Sequence, residues 1–598
     1  MTELTGAPAI PAAAALTSRW RLPHWLAWVI FALISALAAA YLVYTEFPSA
    51  PLILEPDPFG GVNANAIRRD FGSFLVAAAI TAAIASLIVL AARRALFALM
   101  AVIFLLLIVV ISSSVKMHHM NMNVHAYDLV FYLSSYSTLS FLWSDYKGYI
   151  FGFAGMNLAA GLIGWALFRA DPTRVARQVA ALAFVSFAGL AFWGISLRGE
   201  RRHLQFFFKD IMFVSSFYAS WAETIETLWR GTLMVAAPSA PGPAFAATGT
   251  CATPARKPHI ILVHQESVVQ PGLFPALAYD PRMDSHFKSY DGKTHVMRVE
   301  TYGGASWLTE FSILAGVSTH SFGGMRQFVQ TLMSGKLKDT LPQVLEQCGY
   351  RNTVFYPMYR NFVSNARFYS SIGMKEVFDQ GDQRAKSSME RDKFYYKNAL
   401  DEMDRHFTKT DQPFFTFVQT MATHWPYDFV YPADPGEEVP VPDNPLPELK
   451  EYLRRLFMAK LDLEFLKSEL KRRFPEQQFL LVSYGDHHPV ATRHLIGYKD
   501  ETDAEDVQLP GDHVGFLTYY AVEGINFEPG PLPSQEIVDV PYLGTIILGA
   551  ARLPLSGAHQ ERVRLLNLCD GRYWSCKHHD QILAFHRRLI DSKLMEAR

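Results

Sequence analysis

Before residue 200 the chain carries five apolar runs, at residues 25–44, 74–92, 96–113, 150–168 and 179–197. Each is about 18 to 20 residues long, the length a helix needs to cross the hydrocarbon core of a bilayer. No other feature restricts the fold as much. In lipid every backbone polar group needs an internal partner, so such runs must be helices. The first run is too long, and too poor in a small-residue cleavage site, to be a signal peptide.

Arginines set the expected orientation. Arg19 and Arg21 precede the first run, Arg93 and Arg94 separate the second from the third, and Arg169, Arg174 and Arg177 separate the fourth from the fifth. Those three segments are expected in the cytoplasm, and five crossings then place everything after residue 200 outside it. Arg68 and Arg69 fall on the opposite side, in an otherwise acidic, proline-bearing loop. Residues 116–149 and 206–229 show broken amphipathic patterns that suit either the outer membrane interface or loop packing on a soluble domain.

Half of the residues are hydrophobic, an average over two unlike halves, and the formal net charge of −1 offers no basic excess for a nucleic-acid partner. The expected organisation is a cytoplasmic tail (1–23), five transmembrane helices (24–200), a juxtamembrane helix with an Ala/Pro linker (201–256), a catalytic domain (257–555) and a C-terminal extension (556–598). Four cysteines do not make a disulfide scaffold. Cys569 and Cys576 flank the turn dipeptide Asp570-Gly571 in a compartment that permits oxidation, so that pair is expected to be bridged, with Cys251–Cys348 as a further possibility.

From Lys257 onward short apolar strands, expected at 259–264, 414–419, 478–483 and 514–522, alternate with helical periodicity at 341–348 and 448–474. This is the pattern of an α/β domain with a mostly parallel sheet, whose ligands gather at the carboxyl ends of the strands. Polar residues stand at those ends: Gln265-Glu266-Ser267 after the first strand, Thr423-His424-Trp425-Pro426 after the second, and Gly485-Asp486-His487-His488-Pro489 after the third. Carboxylates with imidazole make a mixed O/N donor set suited to Mn²⁺, Mg²⁺ or Zn²⁺. A hydroxyl joins them from Thr301-Tyr302-Gly303-Gly304-Ala305-Ser306, where a glycine pair delivers Ser306 to the start of an apolar-periodic helix. As N-cap of that helix, Ser306 would sit beside free backbone N–H groups able to hold an anionic phosphoryl group.

Five spans, a linker, then Leu-Val-His-Gln-Glu-Ser (262–267), Gly-Ala-Ser-Trp-Leu-Thr-Glu-Phe (304–311), Thr-His-Trp-Pro-Tyr (423–427) and Tyr-Gly-Asp-His-His (484–488) resemble the lipoteichoic acid synthase group of membrane phosphotransferases, within the alkaline phosphatase/sulfatase superfamily. The resemblance runs to about Leu555. It implies an extracytoplasmic alkaline phosphatase/sulfatase-like domain on the outer face of a bacterial-type inner membrane, with one divalent ion, Mn²⁺ first, on Glu266, Ser306, Asp486 and His487. It further implies Ser306 as nucleophile, His424 at the substrate phosphate or leaving oxygen, and Glu310 as the acidic residue at the family's offset. The donor would be phosphatidylglycerol, or phosphatidylethanolamine, and the acceptor a glycan or lipid hydroxyl. Water as acceptor, making a phosphodiester hydrolase, and a non-catalytic membrane sensor or scaffold are the rivals.

The chain departs from the family in two places. Threonine is usual where Ser306 stands, which keeps the hydroxyl. The family's phosphate-binding tryptophan and arginine would fall near Val363 and Asn365, so Arg367 would have to serve from a shifted position. His488 is a further candidate at the substrate. The Cys/Ser-x-Pro-x-Arg hallmark of formylglycine sulfatases is absent around Ser306.

Overall fold

The structure, a computed structural model, describes residues 22–50, 64–120, 123–132, 142–143, 146–198, 212–245, 251, 257–360, 365–497 and 511–596. The expected tail to residue 21, residues 206–211, much of 121–145, part of the linker and residues 361–364 lie outside the described residues. The chain divides into two units, one holding the N-terminal helices to residue 221 and the other holding essentially all from residue 222 onward.

In the first unit the five apolar runs are helices: α1 (His24–Glu46), α2 (Ala64–Ala92), α3 (Ala95–Met120), α4 (Lys147–Ala170) and α5 (Arg177–Arg198). Each is long and apolar enough to cross a membrane. Their outward side chains suit lipid, with Leu37, Leu158 and Phe192 at 71, 67 and 75% exposure, which water would penalise by about 25 cal/mol per Å². The arginine-bearing loops are tied together: Thr173 Oγ1 accepts the N–H groups of Ala95 and Leu96 at 3.0 Å, and Asp171 Oδ2 accepts that of Phe97 at 2.9 Å. One loop thus satisfies the donors at the start of α3. A sixth helix, α6 (Phe213–Arg230), begins in this unit and ends in the second.

The second unit is built on an eight-stranded sheet: β1 (His259–Gln265), β2 (His295–Arg298), β3 (Arg351–Phe355), β4 (Glu376–Phe378), β5 (Phe414–Gln419), β6 (Phe479–Gly485), β7 (Leu517–Ile525) and β8 (Ile537–Asp539), in the order β4-β3-β5-β1-β6-β7-β2-β8. Only β7 runs against its neighbours, β6 and β2. β1, β5 and β6 are buried along their whole length, as parallel strands covered on both faces must be. On one face Ile261 and Val263 pack with Tyr395, Leu400 and Met403 of α8 (Asp392–Phe407) and Leu463 and Leu466 of α9 (Pro447–Arg473).

The expected strand at 514–522 starts three residues later, because His513 Nδ1 accepts the Gly515 N–H at 3.0 Å and holds Val514–Phe516 in a tight turn. Residues 556–596 fold into the same unit as the sheet, as α10 (Gly557–Leu568) and α11 (His579–Asp591) joined across the Cys569–Cys576 disulfide. Cys251 and Cys348 form the second disulfide, 97 residues apart in sequence.

Candidate active site and metal centre

Strand register puts the chemistry together. β1 lies between β5 and β6, with His264 opposite Gln419 and Gln265 opposite Gly485. The next residue along β1 is Glu266 and the next along β6 is Asp486, so the two carboxylates leave the sheet edge side by side. Gly485 is needed for this: a Cβ there would lie 1.8 Å from the Val268 carbonyl oxygen.

The third contribution arrives on α7 (Ser306–Ala315). Gly303, Gly304 and Ala305 all have positive φ, at 69, 155 and 65°, turning the chain sharply into the helix. Ala305, not Ser306, is the N-cap, which corrects the sequence expectation. Left-handed backbone at a residue with a Cβ costs about 1–2 kcal/mol, and it frees Ser306, as first helical residue, to point its hydroxyl outward rather than back at its own helix.

Ser306 Oγ donates to Glu266 Oε2 at 2.9 Å and lies 3.3 Å from His487 Nε2. His487 Nε2 is 3.3 Å from Glu266 Oε1 and 3.2 Å from Asp486 Oδ2, and its Nδ1 bonds the His488 carbonyl oxygen at 2.9 Å. That bond puts the ring proton on Nδ1 and turns the Nε2 lone pair inward. The structure thus brings Glu266, Ser306, Asp486 and His487 into one cluster.

It adds a residue that sequence reasoning missed. His264 Nε2 lies 3.2 Å from Asp486 Oδ2 and 3.7 Å from Glu266 Oε2, and the donor atoms of His264, Glu266 and Asp486 fall within 4.8 Å of one another. On its far side His264 Nδ1 meets Tyr484 Oη at 3.0 Å and Glu310 Oε1 at 3.6 Å. Glu310 in turn accepts from Tyr369 Oη and, at 3.4 Å, from Gln330 Nε2. A carboxylate behind an imidazole behind a donor cluster is the arrangement that orients metal-binding histidines. The available signal was the period of two along a strand, which puts His264 and Glu266 on one face.

The electrostatics are those of a buried anionic cage. Burial would push both imidazoles down, yet Asp486, Glu266 and Glu310 lift His264 to about 10, and Asp486 and Glu266 lift His487 to about 9. Glu266 is buried, which would raise its pKa, but the two histidines on it hold it well below the usual carboxylate range. Burial raises Glu310. Asp486 Oδ1 accepts from the N–H groups of Ser267 and His487 at 2.7 and 2.9 Å, whereas the buried Oδ2, 3.2 Å from two imidazole nitrogens, has no hydrogen bond. Without a cation the two charged imidazole rings, 3.2 Å away, balance this buried oxygen; a divalent cation would take the place of their inward protons and be held by the freed nitrogens and the carboxylates, so the residues fit a metal ion.

Of the remaining expected residues, His424 is half-buried beside the cluster, close enough to lower the pKa of Glu266. Its loop is held from below: Arg455, fully buried and paired with Glu451, donates to the carbonyl oxygens of His424 and Phe429 at 3.1 and 3.0 Å, and Thr423 Oγ1 donates to the Glu266 carbonyl. Arg367 is half-buried on the short helix Asn365–Ser371, which also carries Tyr369 to Glu310. His488 is fully buried, bonded through Nε2 to the Leu517 carbonyl at 2.7 Å and through Nδ1 to Thr492 Oγ1 at 3.3 Å, and burial pulls its pKa down to about 4. Its own carbonyl accepts the Gly303 N–H at 3.1 Å, tying the serine turn to the metal loop.

Two carboxylates and two imidazoles beneath a half-exposed serine place a hydroxyl beside a donor set that could hold a divalent ion. Residues 258–511 match the Sulfatase family. A Haemophilus influenzae protein described as uncharacterized is 22% identical over 335 residues, 53% of this chain and 58% of that protein. The lipoteichoic acid synthase of Staphylococcus saprophyticus is 24% identical over 179 residues, 29% of this chain and 27% of that one. The chain therefore spans little more than half the length of one of these curated relatives and about a quarter of the other. Among solved structures, the integral membrane lipooligosaccharide phosphoethanolamine transferase A of Neisseria meningitidis superposes with a TM-score of 0.46 at 12% identity, over 87% of this chain and 96% of that one.

Proposed function

We propose that this chain is a metal-dependent phosphotransferase of the bacterial inner membrane, with its catalytic domain on the outer face. It takes the phospho head group of a phospholipid onto Ser306 and passes it to a hydroxyl of a glycan or another lipid. The observation that carries this reading is the Ser306 hydroxyl, half-exposed at the start of α7 and within hydrogen-bonding reach of Glu266 and His487.

In the first displacement Ser306 Oγ forms a bond to phosphorus and the bond from phosphorus to the diacylglycerol oxygen breaks, in line. The hydrogen bond to Glu266 Oε2 draws the proton away from the attacking oxygen. His424 protonates the departing diacylglycerol oxygen, and the first N–H groups of α7 hold the phosphoryl oxygens. In the second displacement an acceptor hydroxyl gives its proton to His424 and attacks the phosphoserine phosphorus, the bond from phosphorus to Ser306 Oγ breaks, and Ser306 takes back its proton from Glu266. A divalent ion on Glu266, Ser306, Asp486 and His487, with His264 as a fifth donor and Mn²⁺ ahead of Mg²⁺ and Zn²⁺, would supply the Lewis acidity that lowers the serine pKa and offsets phosphoryl charge.

Phosphatidylglycerol is the first donor on the family resemblance, with phosphatidylethanolamine next. Arg367 remains assigned to the substrate by contact, whereas His488, expected at the substrate, is buried with both ring nitrogens bonded and serves instead by holding the serine turn through its carbonyl. Incubation of the purified, metal-loaded protein with each lipid, followed by intact-lipid mass spectrometry, is the test. Diacylglycerol release and a head-group-modified acceptor support the reading. Release without any modified acceptor, at a rate indifferent to added acceptor, identifies a hydrolase, and no turnover of any lipid favours the scaffold.

A further inference from the structure

Burying a guanidinium is costly unless every part of it is paired, and Arg455 of α9 is fully buried. Nε donates to Glu451 Oε1 at 2.8 Å, which offsets the charge. The terminal nitrogens go to main chain instead: Nη1 donates to the His424 carbonyl oxygen at 3.1 Å and Nη2 to that of Phe429 at 3.0 Å. Guanidinium nitrogens keep a fixed, planar spacing, so these two carbonyls are pinned side by side and the segment between them is drawn into a closed loop. The rings of Tyr427, Phe429 and Tyr431 stand around the guanidinium at 5.3, 4.5 and 5.3 Å. An aliphatic side chain in that ring of aromatics would bury no charge. What arginine adds is the hold on the two carbonyls.

The grip repeats on either side of His424. Glu451 Oε1 also accepts the Tyr431 N–H at 2.7 Å, while Arg454 donates from Nε to Glu451 Oε2 at 2.8 Å and from Nη2 to the Tyr431 carbonyl. On the approach to His424, Asp392 Oδ1 at the start of α8 accepts the Ala422 N–H at 3.1 Å, and Tyr427 Oη donates to the Thr423 carbonyl at 2.8 Å. Yet Trp425, Phe429 and Val430 of the same loop are 55, 42 and 76% exposed. A surface loop tied down so thoroughly from beneath is a mount for what it carries. The group it carries beside the cluster is His424, whose Nδ1 donates to the Trp425 carbonyl and so leaves Nε2 as the ring nitrogen for substrate.

We infer that Arg455, paired with Glu451, is the positioning residue for the acid that serves the departing oxygen. By gripping the carbonyl of His424 itself it fixes where the imidazole stands. When the bond from phosphorus to the leaving oxygen breaks, Nε2 is then within reach to give that oxygen its proton, with no ordering left to be done at that moment. Arg455 acts only through His424. The inference rests on the reading of His424 as the acid of the phosphotransfer.

The test uses the purified, metal-loaded full chain and follows a single turnover onto Ser306 from two kinds of donor. Phosphatidylglycerol and phosphatidylethanolamine release a diacylglycerol oxygen that needs a proton, whereas the p-nitrophenyl phosphodiesters of glycerol and ethanolamine release a phenolate that does not. Arg455→Met should slow diacylglycerol release about 100-fold, the cost of misplacing a reacting group by about 1 Å, and p-nitrophenolate release less than about fivefold. Combined with His424→Ala, it should slow the lipid no further than His424→Ala does alone, because the arginine has no other route to the reaction. Arg455→Lys guards against misfolding: it keeps the charge beside Glu451 but, as a point donor, cannot fork onto two carbonyls. It should match the parent in Tm and metal content and repeat the selective loss. Equal slowing on both kinds of donor, or losses that multiply in the double variant, overturns the inference and leaves a purely structural arginine. A parent that transfers from neither lipid sinks the phosphotransferase reading and this inference with it, whereas an active parent matched by Arg455→Lys on the lipid sinks this inference alone.

Discussion

Replacing Arg562 with methionine tests how the nucleophile helix is held. Arg562 sits on α10, in the segment beyond the family resemblance, and its buried guanidinium reaches the far end of α7 from Ser306. Nε donates to the Gly316 carbonyl at 2.9 Å and Nη2 to the Ala315 carbonyl at 3.1 Å, two of the carbonyls that a helix terminus leaves without partners. Methionine keeps much of the volume and strands both acceptors, each costing about 1–3 kcal/mol. Against this, Nη1 already has no partner, so removing the guanidinium relieves part of its desolvation. The expected net loss is about 3 kcal/mol, or roughly 6 °C in Tm for a domain of this size. Gly316→Ala should act through the same contact, because its Cβ would lie 2.5 Å from Arg562 Nε at a φ of 66°. Thermal unfolding of the detergent-solubilised chain, followed beside phosphoenzyme formation, is the assay. If both variants unfold within a degree of the parent, the contact does not hold α7 and the reasoning is wrong.

Ser306→Ala should abolish the covalent intermediate, whereas Thr309→Ala should still form it, because Thr309 Oγ1 is committed to the Asp486 carbonyl at 2.7 Å; phosphopeptide mapping that found Thr309 modified and Ser306 bare would reverse the assignment. Asp486→Asn should lose bound metal outright and Glu310→Gln should weaken it about 10–100-fold by releasing His264, both read by elemental analysis of the purified chain, with full occupancy in Asp486→Asn counting against the site. His586 is buried between Tyr573 Oη and the Val235 carbonyl, and burial lowers its pKa from 6.5 to about 4. Its folded value lies below the unfolded one, so its contribution is whole above pH 6.5 and is lost as the pH falls towards 4, by about 1.4 kcal/mol per pH unit. A His586→Gln variant should show that much less acid sensitivity in Tm, and parallel curves would contradict it. An alkaline phosphatase reporter fused after Pro254 should be active and a cytoplasm-only reporter silent, the reverse pattern overturning the topology.

The parts of the fold legible in the sequence were those whose burial is uniform. The apolar runs of α1 to α5 and the buried strands β1, β5 and β6 announce themselves because nothing polar interrupts them. β2, β3, β4 and β8 have 4, 5, 3 and 3 residues, too short for a period to register, and their pairing comes from neighbours in space. Glu266, Asp486 and His487 were visible because each follows a buried apolar strand, and Ser306 because it opens an apolar helix after a glycine pair; the family resemblance grouped the four around one ion. His264 was not visible, since it ends an apolar strand and reads as part of it until the strand's two faces are separated. The left-handed Ala305 had no signal, because only the demands of the turn force a Cβ into that conformation. Nor did Cys251–Cys348, because spacing alone does not decide cysteine connectivity.

Both ends of α7 are fixed by bonds that do not involve the Ser306 side chain. At the start, the Gly303 N–H is bonded to the His488 carbonyl and the Thr309 hydroxyl to the Asp486 carbonyl, so the serine turn is clamped to the loop that carries two of the cluster's donors. At the finish, Arg562 holds the last carbonyls from the C-terminal segment, whose own turn is closed by the Cys569–Cys576 disulfide. The distance from Ser306 to Asp486 is therefore set by contacts outside the donor cluster and not by whatever ion binds between them. Placing the hydroxyl in advance spares the ordering cost at the moment of reaction, which is where rigid positioning helps a displacement at phosphorus most. It also gives the C-terminal segment a role: residues 556–596 lie far from the cluster in sequence, yet they are half of the clamp.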